Sequence, residues 1–179
     1  MKQPRMLYKR AITFGRFRIG HDGHATLIDQ MLCRAEHADV HLSGAEKNGD
    51  YDLRVLLLRH LCRNAGIPLE RVSFYKSPTI TEAMARSVSD APYNEAVLVL
   101  GSDQTVMGSK MAEIYDTAFV INRRTNSSTQ MRFFLDAEEF IEDLRHLYDG
   151  DEFSITLAKL LRAEERSHEK SKKVTGKAS

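Results

Sequence analysis

The chain has 179 residues, 42% hydrophobic and 28% charged, enough apolar material for one domain with a sizeable core and a solvated surface. Its formal net charge of +1 argues against general nucleic-acid binding through a broad basic field. Two cysteines exclude a disulfide framework, and no apolar run reaches the length of a membrane span. Cys33 and Cys62 fall on apolar helical patterns and read as reduced core residues. No signal-peptide core follows the basic Lys2, Arg5, Lys9 and Arg10, so a cytoplasmic protein is expected.

Ala11-Ile12-Thr13-Phe14 is apolar and β-branched enough for a short buried strand. Leu27, Ile28, Met31, Leu32 and Ala35 then recur at helical spacing, which predicts a helix opening near His24. Residues 38–42 predict a second strand, and 43–50 a polar loop. From Asp52 a helix carries Leu53, Leu56, Leu57 and Leu61 on one face and stops at Gly66 and Pro68. Residues 71–75 predict a third strand. Thr79 and Glu82 form a capping box for a helix reaching about Ser89. The unbroken Ala-Val-Leu-Val-Leu at 96–100 is the pattern of a central strand covered on both faces. A short helix over 104–114 leads to a last strand at 117–121.

Strands alternating with helices predict an α/β fold: a parallel sheet of about five strands with helices on both faces, occupying residues 1–135. Two further helices at 137–148 and 153–166, with Phe140, Leu144, Leu157 and Leu160 at helical spacing, make a small C-terminal helical appendage over 136–166. Residues 167–179 have no apolar period and predict a disordered tail. The chain has no internal repeat.

In such a sheet the segments following the strands gather at the carboxyl edge, where ligands bind. Three of them are rich in glycine, serine or cations: Gly15–His24, Gly101-Ser102-Asp103 and Arg123–Arg132. The first puts Gly15, Gly20 and Gly23 beside Arg16, His21 and His24 at a helix start. That combination suits a polyphosphate, which backbone N–H groups, imidazoles and a guanidinium can all hold. A P-loop is excluded because His21 and Asp22 stand where Lys and Ser or Thr should follow, and no Gly-x-Gly-x-x-Gly occurs. A zinc site on His21 and His24 has only Asp22 as a nearby third ligand, and a solvated polar loop is the bland alternative. In the third segment Ser128 or Thr129 can cap a helix, with Arg132 on the same face.

Gly15-Arg16-Phe17 followed by His21-x-Gly23-His24 resembles the HxGH nucleotidyltransferase superfamily, and its Gly-Arg-Phe variant looks most like nicotinamide mononucleotide adenylyltransferases. Ser127-Ser128-Thr129-Gln130-Met131-Arg132 resembles the second signature of that superfamily, Ile-Ser-Ser-Thr-x-Ile-Arg, with Asn126 and Met131 replacing the two isoleucines. Gly101-Ser102-Asp103 resembles its Gly-x-Asp near the adenosine, and Arg54 its arginine facing the phosphates from the second helix. The resemblance spans residues 11 to about 133. It implies a Rossmann-like nucleotidyltransferase fold and transfer of AMP from ATP to the phosphate of a small acceptor, with Mg²⁺ and release of pyrophosphate.

By that resemblance His21, His24, Arg16 and Arg132 are catalytic, and Arg54 meets a substrate phosphate. Phe14, Gly15, Phe17, Gly23, Gly101, Asp103, Ser127, Ser128 and Thr129 bind the nucleotide, and the protein itself supplies no metal ligand. The partners implied are ATP and the acceptor, with no nucleic acid or membrane and with a homo-oligomer left open. Nicotinamide mononucleotide, giving NAD, leads the acceptors, ahead of phosphopantetheine or the phospho-alcohol of a CTP-dependent cytidylyltransferase. Against it, Arg18, Ile19 and Gly20 replace the usual prolines, and there is no tryptophan to stack on a pyridine ring. Phe17, Phe74, Tyr75 and Tyr93 are the aromatic substitutes. A nucleotide-binding protein without turnover is the non-enzyme alternative. Class I aminoacyl-tRNA synthetases use a related histidine motif, but 179 residues leave no room for their tRNA-reading domains.

Overall fold

The structure, a computed structural model, describes residues 8–17, 20–44, 51–88, 91–102, 104–121, 135 and 137–176. Five strands form one sheet: β1 (Tyr8–Gly15), β2 (Ala35–Leu42), β3 (Val72–Lys76), β4 (Ala96–Gly101) and β5 (Asp116–Val120). All pairs are parallel and the order is β3-β2-β1-β4-β5. Parallel neighbours need long crossovers, which α1 (Asp22–Arg34), α2 (Tyr51–Asn64), α3 (Ile80–Val88) and α4 (Thr105–Met111) supply. α5 (Glu138–Leu147) and α6 (Gly150–Gly176) follow the sheet.

The period of two along each strand divides the interior. Val97 and Val99 of β4 join Ala11, Val40 and Leu42 in a core shared with α1 and α2. Ala96, Leu98 and Leu100 point the other way and meet Ile12, Met84 of α3, Tyr115 and Met111 of α4. Every residue of β4 is buried, as its unbroken apolar run requires. The C-terminal helices are built into the first core: Phe140 and Leu144 of α5 are fully buried there beside Leu160 of α6. Burying a side chain of that size contributes about 1.5–3 kcal/mol.

Several boundaries differ from the sequence reading, and three of them have a physical reason. α1 opens at Asp22, two residues before His24, because His21 caps it. β2 begins at Ala35, not at residue 38, although Ala35 continues the helical period of α1. A tertiary contact decides this: Arg71 donates to the carbonyls of Leu32, Ala35 and Glu36, which serves the orphan acceptors where α1 ends. Residues 167–176, expected as tail, continue α6 in helical form, since Lys, Glu and Ser propagate a helix whose first half is already packed. Cys62 is buried, and burial pushes its thiol up to about 12, whereas Cys33 is exposed on the outer side of α1 and is not a core residue. Among the described residues no helix is long and apolar enough to cross a membrane.

Candidate active site

Crossovers run in one direction from β1 through β2 to β3 and in the other through β4 to β5, so a crevice opens between the carboxyl ends of β1 and β4. The glycine-histidine segment leaves β1 at this point. His21 takes the N-cap position of α1 with extended backbone, φ −142° and ψ 176°. Its Nδ1 accepts the N–H of Gly23 at 3.1 Å, and Nδ1 of His24 accepts the N–H of His21 at 3.1 Å. Two imidazoles thus build the reciprocal capping box that a Ser and a Glu build elsewhere.

This capping determines the tautomer. An Nδ1 that accepts a hydrogen bond carries no proton, so each neutral ring holds its proton on Nε2. The two rings are stacked, with centroids 3.9 Å apart and planes 23° from parallel. Burial first, and the neighbouring His21 second, hold His24 well below the usual imidazole pKa. The first turn of α1 therefore sets two Nε2–H groups at the positive end of the helix dipole. An anion suits that arrangement.

The preceding loop is anchored from several sides. The N–H of Ser43 donates to the Gly15 carbonyl at 2.9 Å. Arg54, 5% exposed, sends Nη1 to the carbonyls of Arg16 at 2.9 Å and Ser43 at 2.8 Å. Its guanidinium thus clamps the segments that follow β1 and β2. Gly20 faces α2 so closely that a Cβ would stand 3.1 Å from Leu58 Cδ2 and 3.3 Å from Leu61 Cδ1. Among the described residues of this loop, the one with left-handed backbone is not a glycine but Phe17, at φ 49°. That conformation costs a bulky residue on the order of 1–3 kcal/mol and persists where surrounding contacts enforce it. Here the Phe17 ring is 6% exposed and meets His24 edge-on at 4.9 Å and 73°.

The remaining expected residues divide clearly. Phe14 is buried in β1, and its carbonyl accepts Gln104 Nε2 at 3.2 Å, which ties β1 to the segment after β4. Gly23 is buried in α1, Gly101 is the buried last residue of β4, and Arg16 is exposed. Asp103, Ser127, Ser128, Thr129 and Arg132 lie outside the described residues. The structure thus assembles Gly15, Arg16, Phe17, His21, Gly23, His24 and Arg54 at one edge, with Gly101 across the crevice.

Among the aromatic candidates, Phe17 is committed to the core. Tyr75 is stacked on His41 at 4.9 Å and lies under the Arg86 guanidinium. Phe74 packs on the first core with Arg59 over its ring. The side chain of Tyr93 lies outside the described residues. Two participants are absent from the sequence reading, Ser43 and Gln104. Their signal was positional: Ser43 follows β2 directly, and Gln104 stands three residues after the end of β4. Among the described residues no group of three or more His, Cys, Asp or Glu is placed to hold a metal.

No protein-family model matches the chain, and no curated protein sequence matches it. Solved structures do match in fold. One, assigned as a nicotinate-nucleotide adenylyltransferase of Vibrio parahaemolyticus, superposes with a TM-score of 0.51 at 20% identity, over 71% of this chain and 86% of that one. Two structures of a bifunctional NMN adenylyltransferase/ADP ribose pyrophosphatase from Francisella tularensis match with TM-scores of 0.53 and 0.56 at 15% and 14% identity. They cover 78% and 94% of this chain, which spans 55% of the length of each. The first of these two holds AMP and a manganese ion. At such identities the likeness establishes a shared Rossmann-like nucleotidyltransferase fold.

Proposed function

We propose that this protein is an adenylyltransferase that moves AMP from ATP to the phosphate of a small acceptor, with nicotinamide mononucleotide as the favoured acceptor and NAD as product. The observation that carries the reading is the histidine capping box, which sets two Nε2–H donors on the first turn of α1 at the switch point of the sheet. The fold shared with nicotinate- and nicotinamide-nucleotide adenylyltransferases supports it, as does the AMP held by one of them.

In the reaction an oxygen of the acceptor phosphate bonds to the α-phosphorus of ATP while the bond to the bridging oxygen of the β-phosphate breaks, and pyrophosphate leaves. The nucleophile is already an anion, so the protein needs no activated Ser or Cys. Its task is to position two anionic reactants and to stabilise charge spreading over the transferring group. His21 and His24 donate from Nε2 to the triphosphate. Arg16, exposed on the loop, and Arg132, beyond β5, hold its oxygens from either side. By the same reading Ser127, Ser128 and Thr129 bring hydroxyl donors to the phosphates, and Gly101 and Asp103 serve the adenosine. Arg54 keeps the loop in shape through its two carbonyl contacts, and the family resemblance gives it a substrate phosphate to meet.

Mg²⁺ prefers an octahedron of oxygens and keeps several waters. The described residues, two imidazoles and guanidinium groups at this edge, are poor ligands for it but good company for phosphates. Such a site fits Mg²⁺ arriving on the nucleotide, and the ion would supply charge neutralisation to the pyrophosphate. This reading places the protein in the cytoplasm, in NAD synthesis.

A pyrophosphate-release assay of ATP and CTP against nicotinamide mononucleotide, nicotinate mononucleotide, phosphopantetheine and a phospho-alcohol tests the proposal. Release is expected with ATP and a pyridine mononucleotide. Release with another pair reassigns the acceptor. ATP binding without release from any pair overturns the enzyme reading in favour of a nucleotide-binding protein.

A further inference from the structure

The left-handed Phe17 is unexplained by nucleotide contact, because its ring is turned inward. A phenylalanine at φ 49° needs a cause, and the ring contacts supply one. Gly15 lies under the ring: a Cβ there would already touch Phe17 Cε2 at 3.4 Å. The carbonyls of Gly15 and Arg16, on the residues just before it, are tied to Ser43 and Arg54. With the backbone held on that side, a left-handed turn at Phe17 drives the ring under the imidazole of His24. The ring edge meets the imidazole at 4.9 Å, and His21 stacks on it at 3.9 Å.

We propose that Phe17 is the positioning residue of this site: its ring wedges His24 against His21 so that His24 Nδ1 keeps its backbone hydrogen bond and Nε2–H stays the donor. Phe17 itself touches neither nucleotide nor acceptor. The inference rests on the adenylyltransferase reading for its consequence in turnover, but the geometry it asserts holds for the protein alone. Among the described residues, the rings packed against the His24 ring are Phe17 from the loop and His21 from the N-cap of α1. Loss of the ring would admit water to His24 and weaken the burial that is the main opposition to its protonation, with the like-charge opposition of His21 remaining.

The test is a pair of measurements on Phe17→Leu, which keeps an apolar group under His24 but removes the ring edge. In nucleotide-free protein, long-range ¹H–¹⁵N correlation spectra report the tautomer of His24. Wild type is expected to show the Nε2–H form and contacts between the ring protons of Phe17 and His24. Phe17→Leu is expected to show a mixture of tautomers and a titration midpoint moved up towards the ordinary imidazole value. In turnover, kcat should fall at least tenfold while KM for ATP moves less than threefold, a split that simple destabilisation would not produce. An unchanged His24 tautomer and midpoint in Phe17→Leu overturns the proposal. If that variant does not fold, absence of the Phe17–His24 ring contacts in wild type overturns it equally. Because the spectra use neither substrate, a failure to find any acceptor ends the adenylyltransferase reading without touching this result.

Discussion

The two faces of the sheet are built on opposite plans. Beneath α1, α2, α5 and α6 a continuous apolar core runs from Leu27 and Ile28 through Leu57 and Leu58 to Phe140 and Leu144, with Arg54, His60 and Glu164 as buried polar residues on those helices. On the α3 face, apolar packing covers β4 and part of β1, while β2 and β3 carry polar side chains. Asp39 accepts both Nε and Nη2 of Arg10 at 2.7 Å, His37 meets Ser73 at 2.7 Å, and His41 lies between Ser77 at 2.8 Å and Ser87 at 2.9 Å. Each face also holds a histidine of depressed pKa. His24 stands on the helix of the apolar face with its Nε2–H at the site. His41, fully buried, has both ring nitrogens engaged by serines. Burial lowers a histidine's pKa in either setting, so a perturbed value alone does not mark a site. What distinguishes the two is whether a ring nitrogen is left for a ligand.

Replacing each histidine is the sharpest way to break that comparison. His24→Ala is expected to lower kcat/KM at least a thousandfold, about 4 kcal/mol of transition-state stabilisation, with little change in melting temperature. His41→Ala should do the reverse. It strands two buried hydroxyls and leaves a cavity, costing about 2–4 kcal/mol of stability, with kcat of the folded protein within a few-fold of wild type. Matching losses of activity in both variants would erase the distinction.

The ion pair on the polar face comes next. Asp39 is 1% exposed and Arg10 20%, so Asp39→Ala leaves a half-enclosed guanidinium without its bidentate partner. Urea denaturation should show a loss of about 3 kcal/mol, the lower end for breaking a buried pair, because Arg10 retains some water. The double variant Arg10→Met with Asp39→Leu should recover most of it. If it does not, the pair is stabilising in its own right.

The last effect is a pH dependence, which changes no residue. His41 titrates at about 4 in the folded chain, lowered mainly by burial, opposed by Asp39 and assisted by Arg86. Unfolded, it would titrate near 6.5, so between those values the unfolded chain binds more protons and stability falls as the pH falls. The loss expected from this group is on the order of 3 kcal/mol, complete by about pH 4 and absent above pH 7. Denaturation of wild type and His41→Gln at pH 7 and pH 4.5 measures it by difference. His41→Gln should have the flatter profile, and parallel profiles would remove His41 as the cause.

Much of this molecule is local in origin. The apolar run at 96–100 could only be a strand buried on both sides, and the alternation of strand and helix left a parallel sheet as the economical solution. Gly15-Arg16-Phe17 and His21-x-Gly23-His24 could be placed at the carboxyl edge because they follow a strand, and chain order alone puts them there. Contacts between distant residues were not legible. Nothing near Ala35 announces that Arg71 will end α1, and nothing near Arg54 announces that it will hold the carbonyls of Arg16 and Ser43. His41 reads as one more polar residue until α3 brings Ser87 to it. The tautomer of His24 depends on a hydrogen bond three residues long, within reach of sequence reasoning once the cap is placed at His21. The ring that wedges it was seen as a stacking surface until the left-handed turn at Phe17 faced it inward. Periodicity determines which side chains are buried, because burial follows the repeat of the backbone. Which buried polar groups meet one another is decided only when the sheet closes, because a hydrogen bond requires two atoms within about 3 Å and the chain order does not encode that distance.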